Sequence, residues 1–248
     1  MKFKTAITSI DKGGEIIRGY KLTALAQEKS FSDTIWLLLR GEFPTLAEAK
    51  MFGAILTMAI DHGPGTASAQ AARISASVKT SLQASVSAGL LAMGDRHGGA
   101  VDLAAKFFEE NNDTQNLTGL LEELKIKKIR VPGYGHAVLA KDSRTETLFE
   151  IAKETGFYQK YCHFAEQVEK ELNKTASKPL PLNIDGSLAA ILLEMGFASG
   201  TLMGIFIIAR VPGLVAQITE EITDNAGLRR PPEDEIDYVG PSLREIGV

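Results

Sequence analysis

Apolar residues recur along most of this chain at spacings of three and four, which is the period of an amphipathic α-helix. Local signals divide the pattern into elements: Ser30 is placed to cap a helix and Gly41 to end it. The pattern predicts helices that begin at 22–26, run through 35–39, and cover 46–59, 66–93, 101–110, 117–126, 145–152, 158–172, 187–195 and 202–221.

Strand signals are confined to the N-terminus. Residues 3–10 suit a β-strand and Gly13-Gly14 suits a turn, so the sequence predicts a short N-terminal hairpin. Residues 66–93 are rich in alanine and serine, which favour helix over strand. Their small side chains favour close helix packing, in an interior or, near residues 81–91, at a subunit interface. The predicted fold class is mainly α.

The longest apolar tract, residues 201–218, carries Arg210 and Pro212 in its middle. A charge at the centre of a bilayer costs roughly 3 kcal/mol or more, so we interpret this tract as a buried helix rather than a membrane span. The N-terminal sequence MKFKTAITSIDKGGE is too polar for a secretory signal. We therefore expect a soluble protein without a membrane partner.

Composition narrows the class of protein. The 248 residues are 44% hydrophobic and 23% charged with a net charge of −4, as in ordinary globular proteins. Basic residues are scattered apart from residues 125–130, which argues against a nucleic-acid partner. The single cysteine, Cys162, excludes an internal disulfide and fits a reducing compartment, so we expect a cytoplasmic location.

The candidate chemistry lies in the breaks between helices. His62, His97 and His136 each occupy a short glycine-containing interruption, whereas His163 lies on an amphipathic helix and is expected at the surface. Asp185 lies in a loop flanked by proline and glycine. Histidine titrates near neutral pH, and loops on a rigid scaffold carry most catalytic groups. Metal binding is the alternative, but no histidine pair has helical spacing, so acid/base chemistry is favoured.

The loop at 131–139, Val-Pro-Gly-Tyr-Gly-His-Ala-Val-Leu, has two glycines that would let a ligand approach the main chain. By itself it could equally be a tight turn with an incidental histidine. Arg144, Arg210 and Arg230 could likewise each form a structural salt bridge. Together with three histidines, however, they suit a small polycarboxylate, because guanidinium binds carboxylate in a bidentate manner.

These motifs resemble the citrate synthase superfamily, in order and over nearly the whole chain. Residues 131–139 resemble its CoA-contacting catalytic loop, and Asn183-Ile-Asp185-Gly resembles the segment that holds its catalytic aspartate. Residues 60–64 resemble its substrate-binding turn, and residues 94–100 resemble the turn with its other catalytic histidine. Residues 16–20 and 30–45 also look like its N-terminal region.

Within the superfamily, residues 61–64, 89–96 and 183–186 are most similar to citryl-CoA lyases, including the C-terminal lyase module of ATP-citrate lyase. Full citrate synthases are considerably longer than this chain. His97 instead resembles the synthases, since the lyase module has an aromatic residue there. The interval from His136 to Arg144 is about one residue shorter than in typical synthases.

The resemblance implies a role for each candidate residue. Asp185 would exchange the acetyl methyl proton, His97 would hydrogen-bond the thioester oxygen, and His136 would exchange a proton with the carbonyl or hydroxyl oxygen of oxaloacetate. The substrate-binding residues would be His62, Arg144, Arg210 and Arg230. The CoA-binding residues would be Val131, Pro132, Gly133, Tyr134, Gly135 and Ala137. No metal or permanently bound cofactor is implied, because the coenzyme A thioester is substrate or product.

The resemblance also implies an architecture. Residues 1–140 and 180–248 would form a large helical domain with a C-terminal arm, and residues 141–179 a small lobe that closes over the substrate. A homodimer or an assembly of dimers is expected, in which Arg230 would serve the site of its own subunit or that of the second subunit. A separate ligase that forms citryl-CoA would be a further partner.

Three functions follow from these features. The leading hypothesis is a citryl-CoA lyase that reversibly cleaves citryl-CoA to acetyl-CoA and oxaloacetate. The alternative enzyme is a short citrate or 2-methylcitrate synthase, which would also hydrolyse the thioester. The third is a non-catalytic CoA-binding partner subunit, against which the presence of all four candidate acid/base residues argues.

Overall fold

The computed structural model describes residues 2–135, 142–225 and 227–246. The N-terminus forms an antiparallel sheet of three short strands in the order β1 (Thr8–Asp11), β2 (Gly14–Ile17) and β3 (Tyr20–Lys21). The predicted hairpin is confirmed as β1 and β2. The third strand was missed in the sequence because it has only two residues, but its turn is marked by Arg18 and Gly19, both at positive φ.

Helices make up most of the described chain, so the mainly α class is confirmed. They are α1 (Leu22–Glu28), α2 (Phe31–Arg40), α3 (Leu46–Met58), α4 (Ala67–Ser77), α5 (Leu82–Leu91), α6 (Ala100–Asn111), α7 (Leu117–Ile126), α8 (Ser143–Thr155), α9 (Lys160–Thr175), α10 (Ile184–Glu194) and α11 (Leu202–Asp224). Ser30 with Asp33 and Thr45 with Glu48 form capping boxes at the starts of α2 and α3. Gly41 ends α2 in the left-handed conformation, as its position predicts.

The helix predicted over residues 66–93 is two helices, α4 and α5. Lys79 adopts a left-handed φ of 60°, which ends the helical path. The hydroxyl of Ser81 then accepts a hydrogen bond from the amide of Ala84 and caps α5. Composition alone did not reveal the break, because neither residue is a strong helix breaker.

The chain divides into two compact units, of which the first comprises residues 1–62 and 93–213. Its centre is α10, which is apolar on all sides, as expected for a helix surrounded by others. Leu188, Ile191 and Leu192 are fully buried there, and α10 packs against α6, α8 and α9. The lobe boundary predicted at residues 141–179 places α8 and α9 apart from the rest, and that boundary stays a prediction.

The second unit comprises residues 63–92 and 214–248. Its helices α4 and α5 approach closely at Gly89, where a Cβ atom would lie 3.0 Å from the carbonyl oxygen of Ser68. Buried Glu221 accepts hydrogen bonds from Nε of Arg73 (2.8 Å) and Nε of Arg229 (2.6 Å). These bonds tie the start of the C-terminal arm to α4 and α11.

Helix α11 is long and apolar enough, by length and composition, to cross a membrane. It nevertheless contains Pro212, and Arg210 is only 3% exposed. Leu202, Leu214 and Ile218 are fully buried. These features support the interpretation of α11 as a helix buried within the protein.

Candidate active site

The N-terminus of α10 carries Asp185 in its first turn. Asn183 caps this helix, since its Oδ1 accepts hydrogen bonds from the amides of Asp185 (3.0 Å) and Gly186 (3.2 Å). The side-chain amide of Asn183 donates to the carbonyl oxygen of Gly135 at 2.9 Å. One residue therefore fixes both the aspartate and the loop that precedes residue 136.

The loop at residues 131–135 is bound along the segment that leads into α10. The amide of Gly135 donates to the carbonyl of Pro181 (2.7 Å), and the amide of Asn183 donates to the carbonyl of Gly133 (3.0 Å). A Cβ atom on Gly133 would lie 2.7 Å from the Cα atom of Gly186, closer than real Cβ contacts. The glycine at 133 is thus required by helix packing, in addition to any ligand contact.

Tyr134 anchors this loop to α9. Its hydroxyl donates a hydrogen bond to the carbonyl of Ala165 at 2.9 Å. Burial, and then the negative charge of Glu169, raise the pKa of Tyr134 well above its ordinary value, so the phenol stays protonated. The side chain is thereby occupied inside the protein, and the loop backbone is the part suited to a ligand.

Asp185 is a partly buried carboxylic acid. Burial raises its pKa, the positive charges of Arg144 and Arg210 lower it, and the negative charge of Asp142 raises it. The burial effect dominates. A carboxyl group with a raised pKa can serve as acid or base nearer neutral pH than an ordinary aspartate.

Arg144 is held between an aspartate and a histidine. Its Nε and Nη2 atoms donate to the two carboxylate oxygens of Asp142 at 2.9 and 2.8 Å. Its Nη1 atom lies 3.2 Å from Nδ1 of His62. Asp142 also accepts the amide of Ile184 at 3.1 Å, so this cluster is joined directly to the start of α10.

Arg210 is the buried arginine of α11. Its Nε donates to the carbonyl of Ala59 at 2.8 Å, and its guanidinium lies 4.8 Å from the ring centre of Phe206. Burial lowers its pKa, whereas the carboxylates of Asp61 and Asp185 raise it. These two carboxylates therefore act on the buried guanidinium electrostatically. Its Nη1 is buried and has no hydrogen-bond partner among the described residues.

The turn that carries His62 lies directly on α11. A Cβ atom at Gly213 would lie 2.2 Å from the carbonyl oxygen of Ile60, so only glycine permits this approach. No local pattern signals that role, because the contact joins residues far apart in the chain. Gly213 thus brings His62 to the helix that bears Arg210.

His97 lies in a tight turn at the start of α6. Its backbone exchanges hydrogen bonds with Gly94 at 2.9 and 2.7 Å, and its ring lies edge-on to Phe206 with centroids 6.5 Å apart. Burial, followed by the positive charges of Arg210 and His62, lowers its pKa. The imidazole is therefore neutral at neutral pH.

The family model for the C-terminal domain of citrate synthase matches residues 1–57 and 46–232. The chain belongs to the citrate synthase family. The family resemblance inferred from the motifs is thus confirmed.

Individual relatives refine this placement. The structure of citryl-CoA lyase from Hydrogenobacter thermophilus is 41% identical, covers 99% of this chain and 97% of its own, and superimposes with a TM-score of 0.90. ATP citrate lyase from Methanosaeta concilii, in complex with (3S)-citryl-CoA, is 25% identical, with 98% and 42% of the two chains covered and a TM-score of 0.85. ATP-citrate synthase beta chain protein 1 of Arabidopsis thaliana is 32% identical over 76% of this chain. The chain spans 34% of that relative's length.

Of the residues predicted from the family resemblance, the structure brings Asp185, His62, His97, Arg144 and Arg210 within electrostatic or hydrogen-bonding reach of one another. Val131, Pro132, Gly133, Tyr134 and Gly135 form the loop against α10. His136 and Ala137 lie outside the described residues.

Other residues lie elsewhere or were missed. Arg230 is exposed in the second unit, and its substrate-binding role stays a prediction. His163 is exposed on α9, as predicted. Asp142 was missed, although an aspartate just before a helix and two residues before an arginine is a recognisable cap signal. Within the described part of the chain, no group of three histidine, cysteine or carboxylate side chains could hold a metal ion.

Proposed function

We propose that this chain is a citryl-CoA lyase, which reversibly cleaves citryl-CoA to acetyl-CoA and oxaloacetate. The observation that carries the proposal is the placement of Asp185, two arginines and two histidines beside the 131–135 loop. The near full-length similarity to a citryl-CoA lyase supports it, because the chain matches 97% of that protein.

The proposed cleavage moves two protons. The tertiary hydroxyl of citryl-CoA gives its proton to His136, the adjacent carbon–carbon bond breaks, and the electron pair forms the enolate of acetyl-CoA. Asp185 then delivers a proton to the methyl carbon of that enolate. A buried carboxyl with a raised pKa suits this step, since it holds its proton to a higher pH than an exposed aspartate.

His97 would stabilise the enolate oxygen. Because its pKa is lowered, the imidazole is a neutral N–H donor at neutral pH and needs no deprotonation before it binds. A preorganised donor aimed at developing negative charge contributes about 2.7–4 kcal/mol in comparable oxyanion sites. The carboxylates of the oxaloacetate portion would pair with Arg144 and with the buried Nη1 of Arg210.

One observation favours an alternative enzymatic activity for this chain. His97 lies in the turn where the ATP-citrate lyase module has an aromatic residue, and it contacts Phe206 beside Arg210. A short citrate or 2-methylcitrate synthase would use the same histidine and would then hydrolyse the thioester. A non-catalytic CoA-binding subunit would have no need for the raised pKa of Asp185 and the lowered pKa of His97.

The fate of the thioester separates these functions. Citryl-CoA is supplied, oxaloacetate is followed by its enzymatic reduction to malate, and free thiol is followed by a chromogenic disulfide. We expect oxaloacetate without thiol. Rapid thiol release from acetyl-CoA and oxaloacetate would establish the synthase instead, and inactivity with either set of substrates would favour the non-catalytic subunit.

We further propose a cytoplasmic homodimer, or an assembly of dimers, in which Arg230 reaches the neighbouring subunit's substrate. A separate ligase would supply citryl-CoA. Light scattering after gel filtration tests the assembly. Mixing an Arg230→Ala protein with an excess of an Asp185→Asn protein tests the shared site, because only mixed dimers would regain activity.

A further inference from the structure

The carboxylate of Asp142 is buried, and its hydrogen bonds to other described residues lie within one small region. Only 3% of the residue is exposed. Oδ1 accepts from Nε and from the backbone amide of Arg144, and Oδ2 accepts from Nη2 of Arg144 and the amide of Ile184. The side chain of Arg144 is therefore fixed to the residue that precedes Asp185.

A helix cap would not need this arrangement. Capping of α8 uses only Oδ1 and the amide of Arg144. A serine or asparagine could do the same at the surface. The side-on, two-point bond to the guanidinium sets its direction as well as its position, which a cap does not require.

The fixed guanidinium also determines the state of His62. Nη1 of Arg144 lies 3.2 Å from Nδ1 of His62. Arginine can only donate, so Nδ1 must accept this hydrogen bond and cannot carry a proton. The ring proton of neutral His62 is then on Nε2.

We infer that Asp142 is a positioning residue, which orients Arg144 and through it holds His62 as an Nε2–H donor. The catalytic consequence rests on the proposed function, whereas the state of the His62 ring does not. Among the described residues, Nε and one proton each of Nη1 and Nη2 of Arg144 are engaged, which leaves one N–H on each terminal nitrogen for a substrate carboxylate.

The test is nitrogen NMR of the histidine rings, recorded without ligand at a pH where an ordinary imidazole is neutral. A His62→Gln variant assigns the signals among the four histidines. In the unaltered protein we expect one His62 nitrogen fully protonated and the other fully unprotonated. The Asp142→Asn variant can still cap α8 but loses the two-point bond to the guanidinium of Arg144. Its two His62 nitrogen shifts should therefore move towards each other as the two tautomers exchange.

Two further variants make the result decisive. Arg144→Lys keeps the positive charge, but its single nitrogen cannot hold both oxygens of Asp142 and also reach His62, so it should reproduce the shift change even if Asp142→Asn fails to fold. Glu194→Gln is the matched control, because that carboxylate accepts the amide of Tyr161 at the opposite end of α10. It should leave the His62 signals unchanged.

Citryl-CoA cleavage gives the second measurement. Misplacement of a substrate-binding group costs on the order of 100-fold in rate, so Asp142→Asn should lose about that factor in kcat/KM. Glu194→Gln should keep the parent value. Inactivity of the unaltered protein would refute the proposed function and leave the ring assignment standing. Unchanged His62 shifts in a folded Asp142→Asn or Arg144→Lys protein would refute the positioning role.

Discussion

Replacement of Gly133 by alanine should destabilise the protein and displace the loop that borders the candidate site. The new Cβ atom would lie 2.7 Å from the Cα atom of Gly186 and 3.2 Å from the Cβ atom of Ala104. Both neighbours are firmly packed, because Gly186 is in α10 and Ala104 is fully buried. The substitution therefore cannot be relieved by the rotation of a flexible side chain.

The loss of stability expected for Gly133→Ala has two parts. At a φ of +85° an alanine costs about 1–2 kcal/mol from backbone strain. Overpacking adds typically 1–3 kcal/mol. Gly156→Ala is the matched control, since Gly156 has a φ of +83° but a Cβ atom there would meet no other atom within 4 Å, and it should show the strain alone.

Urea unfolding measures both variants. We expect the free energy of unfolding to fall by about 1–2 kcal/mol for Gly156→Ala. For Gly133→Ala the expected fall is about 2–5 kcal/mol. We also expect citryl-CoA cleavage to fall only in Gly133→Ala, because its loop would leave Asn183 and the start of α10. Equal losses of stability in the two variants, with full activity in both, would refute the close-packing role of Gly133.

Three further predictions concern ionisable groups. Asp185→Asn should reduce cleavage by about 100- to 10,000-fold yet raise the free energy of unfolding at neutral pH, because burial disfavours the charged carboxylate in the folded state. His97→Phe should lower kcat by about 100- to 1,000-fold. Because the folded protein favours neutral His97, the free energy of unfolding falls as the pH drops from the unfolded pKa of 6.5 towards the lowered folded pKa. The melting temperature of His97→Phe should therefore fall less on acidification than that of the parent. Glu221→Gln should lower the free energy of unfolding, measured with urea at neutral pH, by about 1–3 kcal/mol. The hydrogen bond from Arg229 is the main cause of the lowered pKa of Glu221, so the difference in stability between parent and variant should disappear as the pH falls through that lowered pKa.

The helices were predictable because their signals are local. Caps such as Ser30 and Thr45 and the stop at Gly41 lie beside the elements they define, and apolar spacing identifies the buried faces. The break at Lys79 was not predictable, since it depends on one residue adopting a left-handed conformation that its side chain does not favour.

The sequence singles out the candidate acid/base groups, whose roles stay predictions, but not all of the residues that support them. His62 and His97 stand out because they lie in glycine-containing breaks between helices, and Asp185 stands out through the segment Asn183-Ile-Asp185-Gly that resembles the family's motif. Gly213 acts through a contact with Ile60, which is distant in sequence, so no local pattern reveals it. Asp142 has a local cap signal, but its bond to the amide of Ile184 joins residues distant in sequence and leaves no local pattern. The sequence explained Gly133 only by the approach of a ligand to the main chain. A glycine needed for ligand binding and one needed for packing against a helix look the same in sequence.

The buried Nη1 of Arg210 would couple ligand binding at the candidate site to the thermal stability of the protein. Nη1 has no acceptor among the described residues, and a buried donor without an acceptor costs about 1–3 kcal/mol. Under the proposed function, a dicarboxylate would supply the acceptor and bind only the folded chain, so saturation with it should raise the melting temperature. Under the proposed function, cells that hold such acids at high concentration would keep this protein folded partly through its own substrate or product.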